Sequence, residues 1–69
     1  SLAGSFFENL ANLAGRFSQI SMDPKLKKDV CAALIQLRRS LVSVIHKLDK
    51  SDGGRKAIAA IDHCISSTQ

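Results

Sequence analysis

Between Pro24 and Gly53 the chain has neither glycine nor proline, and this uninterrupted stretch takes up more than a third of its length. Asp23 stands directly before Pro24, an arrangement that starts helices. The carboxylate caps unpaired N–H groups of the first turn, and proline sits where a missing N–H is harmless and its fixed φ already suits the helix. The stretch therefore predicts one helix of about 27 residues, roughly 40 Å long at 1.5 Å per residue. Everything else in the chain has to pack around that rod.

On this helix Leu26, Val30, Ala33, Leu37, Leu41, Val44 and Leu48 recur at intervals of three and four, close to a heptad seam. Leu34 and Ile45 widen the stripe, and Cys31, Ile35 and Val42 carry it further round the helix. Upstream, Leu2, Phe6, Leu10, Leu13, Phe17 and Ile20 keep helical spacing, with Glu8, Asn12, Arg16 and Gln19 on the other side. A first amphipathic helix is expected from Leu2 to about Ile20, with the phenylalanines of the stripe in its core. Downstream, Gly53-Gly54 supplies a turn after Ser51 or Asp52, and Ile58, Ile61 and Ile65 mark a short third helix over Arg55 to Ile65.

The reading is an all-α fold in which residues 1–69 form a single domain, a helical hairpin plus a short third helix. A chain this short buries a smaller fraction of its surface than a larger domain does. The long helix also has more apolar surface than one neighbouring helix covers. Self-association answers both problems: two hairpins dimerise into a four-helix bundle with the third helices closing its ends. Leu26, Val30, Leu37, Leu41, Val44 and Leu48 are the expected core and dimer positions.

Charge separates along the chain, and the net value of +4 resides in the middle. There Lys25, Lys27, Lys28, Arg38, Arg39, Lys47 and Lys50 are opposed only by Asp29 and Asp49. At 100° per residue Lys28, Arg39 and His46 fall within about 20° of one another, with Lys25 and Lys50 close by. Ala32, Gln36 and Ser43 stand between them, too short to hold a partner away from the helix. The stripe from Lys28 to Lys50 measures about 33 Å, on the order of one turn of a nucleic-acid duplex. A straight basic rod matches a duplex by shape, whereas a base-reading helix needs longer polar side chains clustered at one end. The plainer reading is a solvated face that keeps the chain in solution.

Other classes fare less well. An enzyme is not expected: only His46 and His63 could serve as bases, and neither has a predictable nucleophile beside it. Cys31, His46, His63 and Cys64 match no familiar zinc-ligand spacing, so no metal or other cofactor is expected. Cys64 beside His63 reads as a small buried residue next to an exposed one. The two cysteines allow one bridge at most, and nothing resembles a secretory signal, which points to a reduced, intracellular setting. No apolar run approaches the roughly 18 residues of a membrane span. The rival function is a protein-interaction module, an adaptor or chaperone whose basic stripe meets an acidic partner.

A helix of about twenty residues, the Asp23-Pro24 break and the Lys27-Lys28-Asp29-Val30 opening of a long helix together resemble the RNA-silencing suppressors of insect nodaviruses, the B-two family. The likeness of layout extends over nearly the whole chain. It implies an antiparallel homodimeric four-helix bundle that lies along double-stranded RNA regardless of sequence, in the cytoplasm of a host cell. Such a dimer hides long RNA from Dicer-type nucleases, a further class of partner, and protects small interfering RNA duplexes. The family's RNA-contacting positions fall on Lys28, Arg39 and His46. His46 departs from the pattern, which has an arginine there, because an imidazole cannot make a guanidinium's paired contacts.

Overall fold

The computed structural model describes residues 2–47 and 52–69, with side chains described from Gly4 onward. It contains three helices and, among the described residues, no strand: α1 Leu2–Phe17, α2 Pro24–Lys47 and α3 Asp52–Thr68. Leu48, Lys50, Ser51 and the side chain of Leu2 lie outside the described residues.

α2 begins as its sequence dictates. The Leu26 N–H donates to Asp23 Oδ1 at 2.8 Å and the Lys27 N–H to the Asp23 carbonyl at 2.9 Å, so Asp23 is the N-cap and Pro24 the first helical residue. α1 stops at Phe17, three residues before its apolar pattern does. The N–H groups of Gln19 and Ile20 turn back to the carbonyls of Arg16 and Phe17, and the Ser18 hydroxyl donates to the Gly15 carbonyl at 2.6 Å. These tighter bonds satisfy the last carbonyls of α1 and end it.

α3 is longer than the sequence pattern suggests. Gly53 and Gly54 form its first turn rather than a loop before it, behind Asp52, whose carboxylate suits the positive end of a helix. Gly54 is buried, and a Cβ on Gly53 would reach 3.4 Å from Phe7 Cβ. The start of α3 thus lies against Phe7 of α1, at a separation that would also accommodate an alanine.

α3 packs on both α1 and α2, and no Cα pair between α1 and α2 comes within 8 Å. The expected hairpin of two long helices is therefore replaced by an arrangement with α3 between them. Phe7 lies beside Gly53 at the start of α3, and Ala14, two turns further on, is still buried although only α3 packs on α1, so α1 runs parallel to α3. Arg38 opposite Asp62 and Cys31 opposite Gln69 set α2 antiparallel to it. The molecule is long and thin, 38 × 19 × 15 Å. Its longest dimension is about the length of α2.

All three helices feed one core of Phe7, Ala14, Leu34, Leu41, Ala57, Ile61 and Cys64, with Leu10, Val30, Leu37 and Ile45 packed against it. The role expected of the α1 stripe needs correction. Phe7 is the buried aromatic, 2 % exposed and edge-on to Phe6, whereas Phe6, Leu13, Phe17 and Ile20 are exposed. Small residues explain the choice. α1 approaches α3 along Phe7, Ala11 and Ala14, and α3 answers with Gly53, Ala57 and Ala60. Backbones can close on small side chains, and that rolls the bulkier flank of α1 outward.

Candidate nucleic-acid interface

α2 meets α3 through Leu34 and Leu41, and this contact fixes which way the rest of α2 faces. Lys25, Lys28, Ala32, Gln36, Arg39, Ser43 and His46 are all exposed along the side turned away from it. The predicted stripe is thus a continuous accessible edge of the molecule, apart from Lys50, which lies outside the described residues.

Arg38 belongs elsewhere. Its Nε donates to Asp62 Oδ1 of α3 at 2.6 Å, and Nη2 lies 3.5 Å from Oδ2. The guanidinium is laid sideways against α3, a quarter-turn from Arg39. Both partners are half-exposed, so the pair contributes no more than about 1 kcal/mol to stability, but it sets where Arg38 points. The 100° step alone puts Arg38 off the stripe, but it does not reveal Asp62 as its partner. The available signal was a lone carboxylate at the edge of the apolar stripe of α3, mid-helix, where only a cation from a neighbouring helix could pair with it.

A second face is apolar. Among the expected core and dimer positions of α2, Leu41 is buried and Val30 and Leu37 are half-buried, while Leu26 and Val44 remain exposed along with Ala33. On α1 the matching flank carries Phe6, Leu13 and Phe17, between 42 and 56 % exposed. At 100° per residue Leu26, Ala33 and Val44 lie about a quarter-turn from the Leu34–Leu41 line that meets α3, and Phe6, Leu13 and Phe17 about a quarter-turn from Phe7; with α1 parallel and α2 antiparallel to α3, the two flanks turn to the same side of the molecule. The apolar face and the basic edge are thus different sides of α2.

At the far end, the start of α2 and the end of α3 enclose an open groove of about 500 Å³. Lys27 and Lys28 stand at its rim, Cys31 and Ile35 line its floor, and Thr68 and Gln69 form the other wall. Cys64, one turn before Thr68, is fully buried next to exposed His63, as the sequence suggested. Burial pushes its thiol pKa up, and the nearby Cys31 sulfur adds to the shift. Among the described residues, no group of three or more His, Cys, Asp or Glu side chains is placed to hold a metal, and no helix is long and apolar enough to cross a membrane.

These features define a small all-helical protein with one apolar face and one basic edge. Comparison with protein families, with curated proteins and with solved structures finds no match to this chain.

Proposed function

We propose that the chain binds double-stranded RNA without regard to sequence, as a homodimer, and suppresses RNA silencing in the host cytoplasm by hiding long RNA from Dicer-type nucleases and protecting small interfering RNA duplexes from loading. The observation that carries this reading is the exposure of Lys28, Arg39 and His46 on one edge of a long helix, with Ala32, Gln36 and Ser43 exposed between them and Ile35 alongside. A duplex is a rigid rod of phosphates and rewards cations held in line. A-form RNA is read mainly by shape and backbone, because its major groove is too narrow for side chains.

The apolar face supplies the dimer. A two-fold axis lying in that face, perpendicular to α2, pairs α2 with its copy antiparallel. Both basic edges then fall on one side of the assembly, and Arg39, near the middle of each helix, contributes two cations to one duplex. The resemblance to the nodavirus suppressors likewise implies an antiparallel homodimer and adds the silencing role, although the packed α1–α2 hairpin expected for a four-helix bundle is not what this chain forms. Titration with random-sequence duplex RNA, the matching duplex DNA and single-stranded RNA tests the proposal. Tightest binding to duplex RNA supports it, and equal binding to all three would reduce the stripe to a diffuse positive field.

One observation favours a second reading, a protein-interaction module for an acidic partner. The groove with Lys27 and Lys28 at its rim combines positive charge with an apolar floor. An absence of binding to any nucleic acid at low salt would turn the choice towards it.

A further inference from the structure

We infer that Asp62 is a specificity-determining residue, which pairs with Arg38 to confine the cationic surface of α2 to a single line and so favours duplex RNA over single strands. The inference rests on the duplex-binding reading above. Between Lys28 and His46 the only cations are Arg38 and Arg39, neighbours in sequence that point about 100° apart. Arg39 lies on the exposed line. Arg38 would offer a second anchoring point off that line at the middle of the helix, but Asp62 occupies the Nε–Nη2 edge of its guanidinium, balances its charge and draws it towards α3.

The two kinds of nucleic acid respond differently to such a point. A duplex cannot bend to reach a cation a quarter-turn away without leaving the line of Lys28, Arg39 and His46. A single strand is flexible and follows positive charge wherever it stands. Pairing with Asp62 therefore costs duplex binding little and removes a contact that only a flexible strand could use. The pair adds little to stability because both side chains are half-exposed, so loss of the carboxylate leaves the fold in place.

The test compares the native chain, Asp62→Asn and the double variant Arg38→Gln/Asp62→Asn, with random-sequence duplex RNA and single-stranded RNA of equal length as probes over a salt series. Asp62→Asn is expected to tighten single-strand binding several-fold and to steepen its log–log salt dependence by roughly 0.7 for each copy of Arg38 that reaches the strand. Duplex affinity should change by less than about twofold, since the aligned charges are untouched. The double variant should return to the native duplex preference, and Asp62→Glu, which keeps the carboxylate, should retain it. An unchanged preference in Asp62→Asn overturns the inference. So does a loss of preference that persists in the double variant, because the effect would then come from the charge of Asp62 and not from release of Arg38. If the native chain binds no duplex, the duplex reading fails first. If it binds duplex and Asp62→Asn leaves the preference unaltered, only the role of Asp62 falls.

Discussion

Leu13→Glu probes the apolar face without touching the core. Leu13 is 51 % exposed, belongs to no part of the buried cluster, and sits on the same flank of α1 as Phe6 and Phe17. In a single chain the substitution is a surface change, expected to alter stability by no more than about 0.5 kcal/mol. In a dimer formed through that face the consequences multiply. Full burial of a leucine is worth about 1.5–3 kcal/mol, so the half still exposed contributes about 1 kcal/mol from each copy. A carboxylate forced into the same apolar contact costs several kcal/mol more per ion. Over two copies the loss is at least about 4 kcal/mol, about a thousandfold in dimer affinity. Light scattering coupled to size exclusion should find the native chain at twice the 7.4 kDa of one copy, and the variant at or near the single mass, with helical circular dichroism retained. A native chain that stays monomeric at tens of micromolar, or a variant that dimerises as tightly as the native chain, would refute the assignment of this face.

The charges on α2 should separate by direction. Arg39→Ala is expected to weaken duplex-RNA binding by about tenfold or more, with two copies lost per dimer, and Arg38→Ala by less than about twofold, as measured by anisotropy titration at matched salt. Equal losses would mean that position on the helix does not matter. His46→Arg should tighten binding, because a guanidinium makes paired contacts to phosphate that an imidazole cannot; a weaker complex would place His46 off the RNA. In the core, Ile61→Ala removes a side chain with no exposed surface and should destabilise the fold by about 2–5 kcal/mol in urea unfolding. A loss under about 1 kcal/mol would put Ile61 outside the main packing. Cys64, buried and with its pKa raised, should resist alkylation at pH 8 in the folded chain while Cys31 reacts. Comparable rates would show that the end of α3 opens.

The start of α2 was legible from two residues, because Asp23-Pro24 encodes a cap whose hydrogen bonds are local. The stripe of Lys28, Arg39 and His46 was equally legible, since positions along one straight helix follow from a fixed turn angle. What failed involved choices between helices. Phe6 and Phe7 are adjacent, and periodicity favoured Phe6, yet burial goes to Phe7 because Ala11, Ala14, Gly53 and Ala57 let α1 and α3 close on that side. Gly53-Gly54 reads as a turn by composition, but both glycines lie in the first turn of α3, with Gly53 against Phe7. Once α3 reaches from Asp52 to Thr68, it is long enough to serve as the central helix, which no single-helix pattern reveals. The partner of Arg38 escaped notice for the same reason, being fixed by the antiparallel register of α2 on α3.

The most direct test of duplex-RNA binding is a salt-dependent titration of the native chain with two random-sequence RNA duplexes of equal length and unrelated sequence, alongside the matching DNA duplexes. The exposed line of Lys28, Arg39 and His46, doubled in the proposed dimer, predicts affinities for the two RNAs that agree within about threefold and fall steeply with salt, reflecting several released counterions. Binding to the B-form DNA duplexes should be weaker, because the fixed line of charges then meets a different groove geometry. A preference of a hundredfold for one RNA sequence, or affinity indifferent to salt, would contradict it.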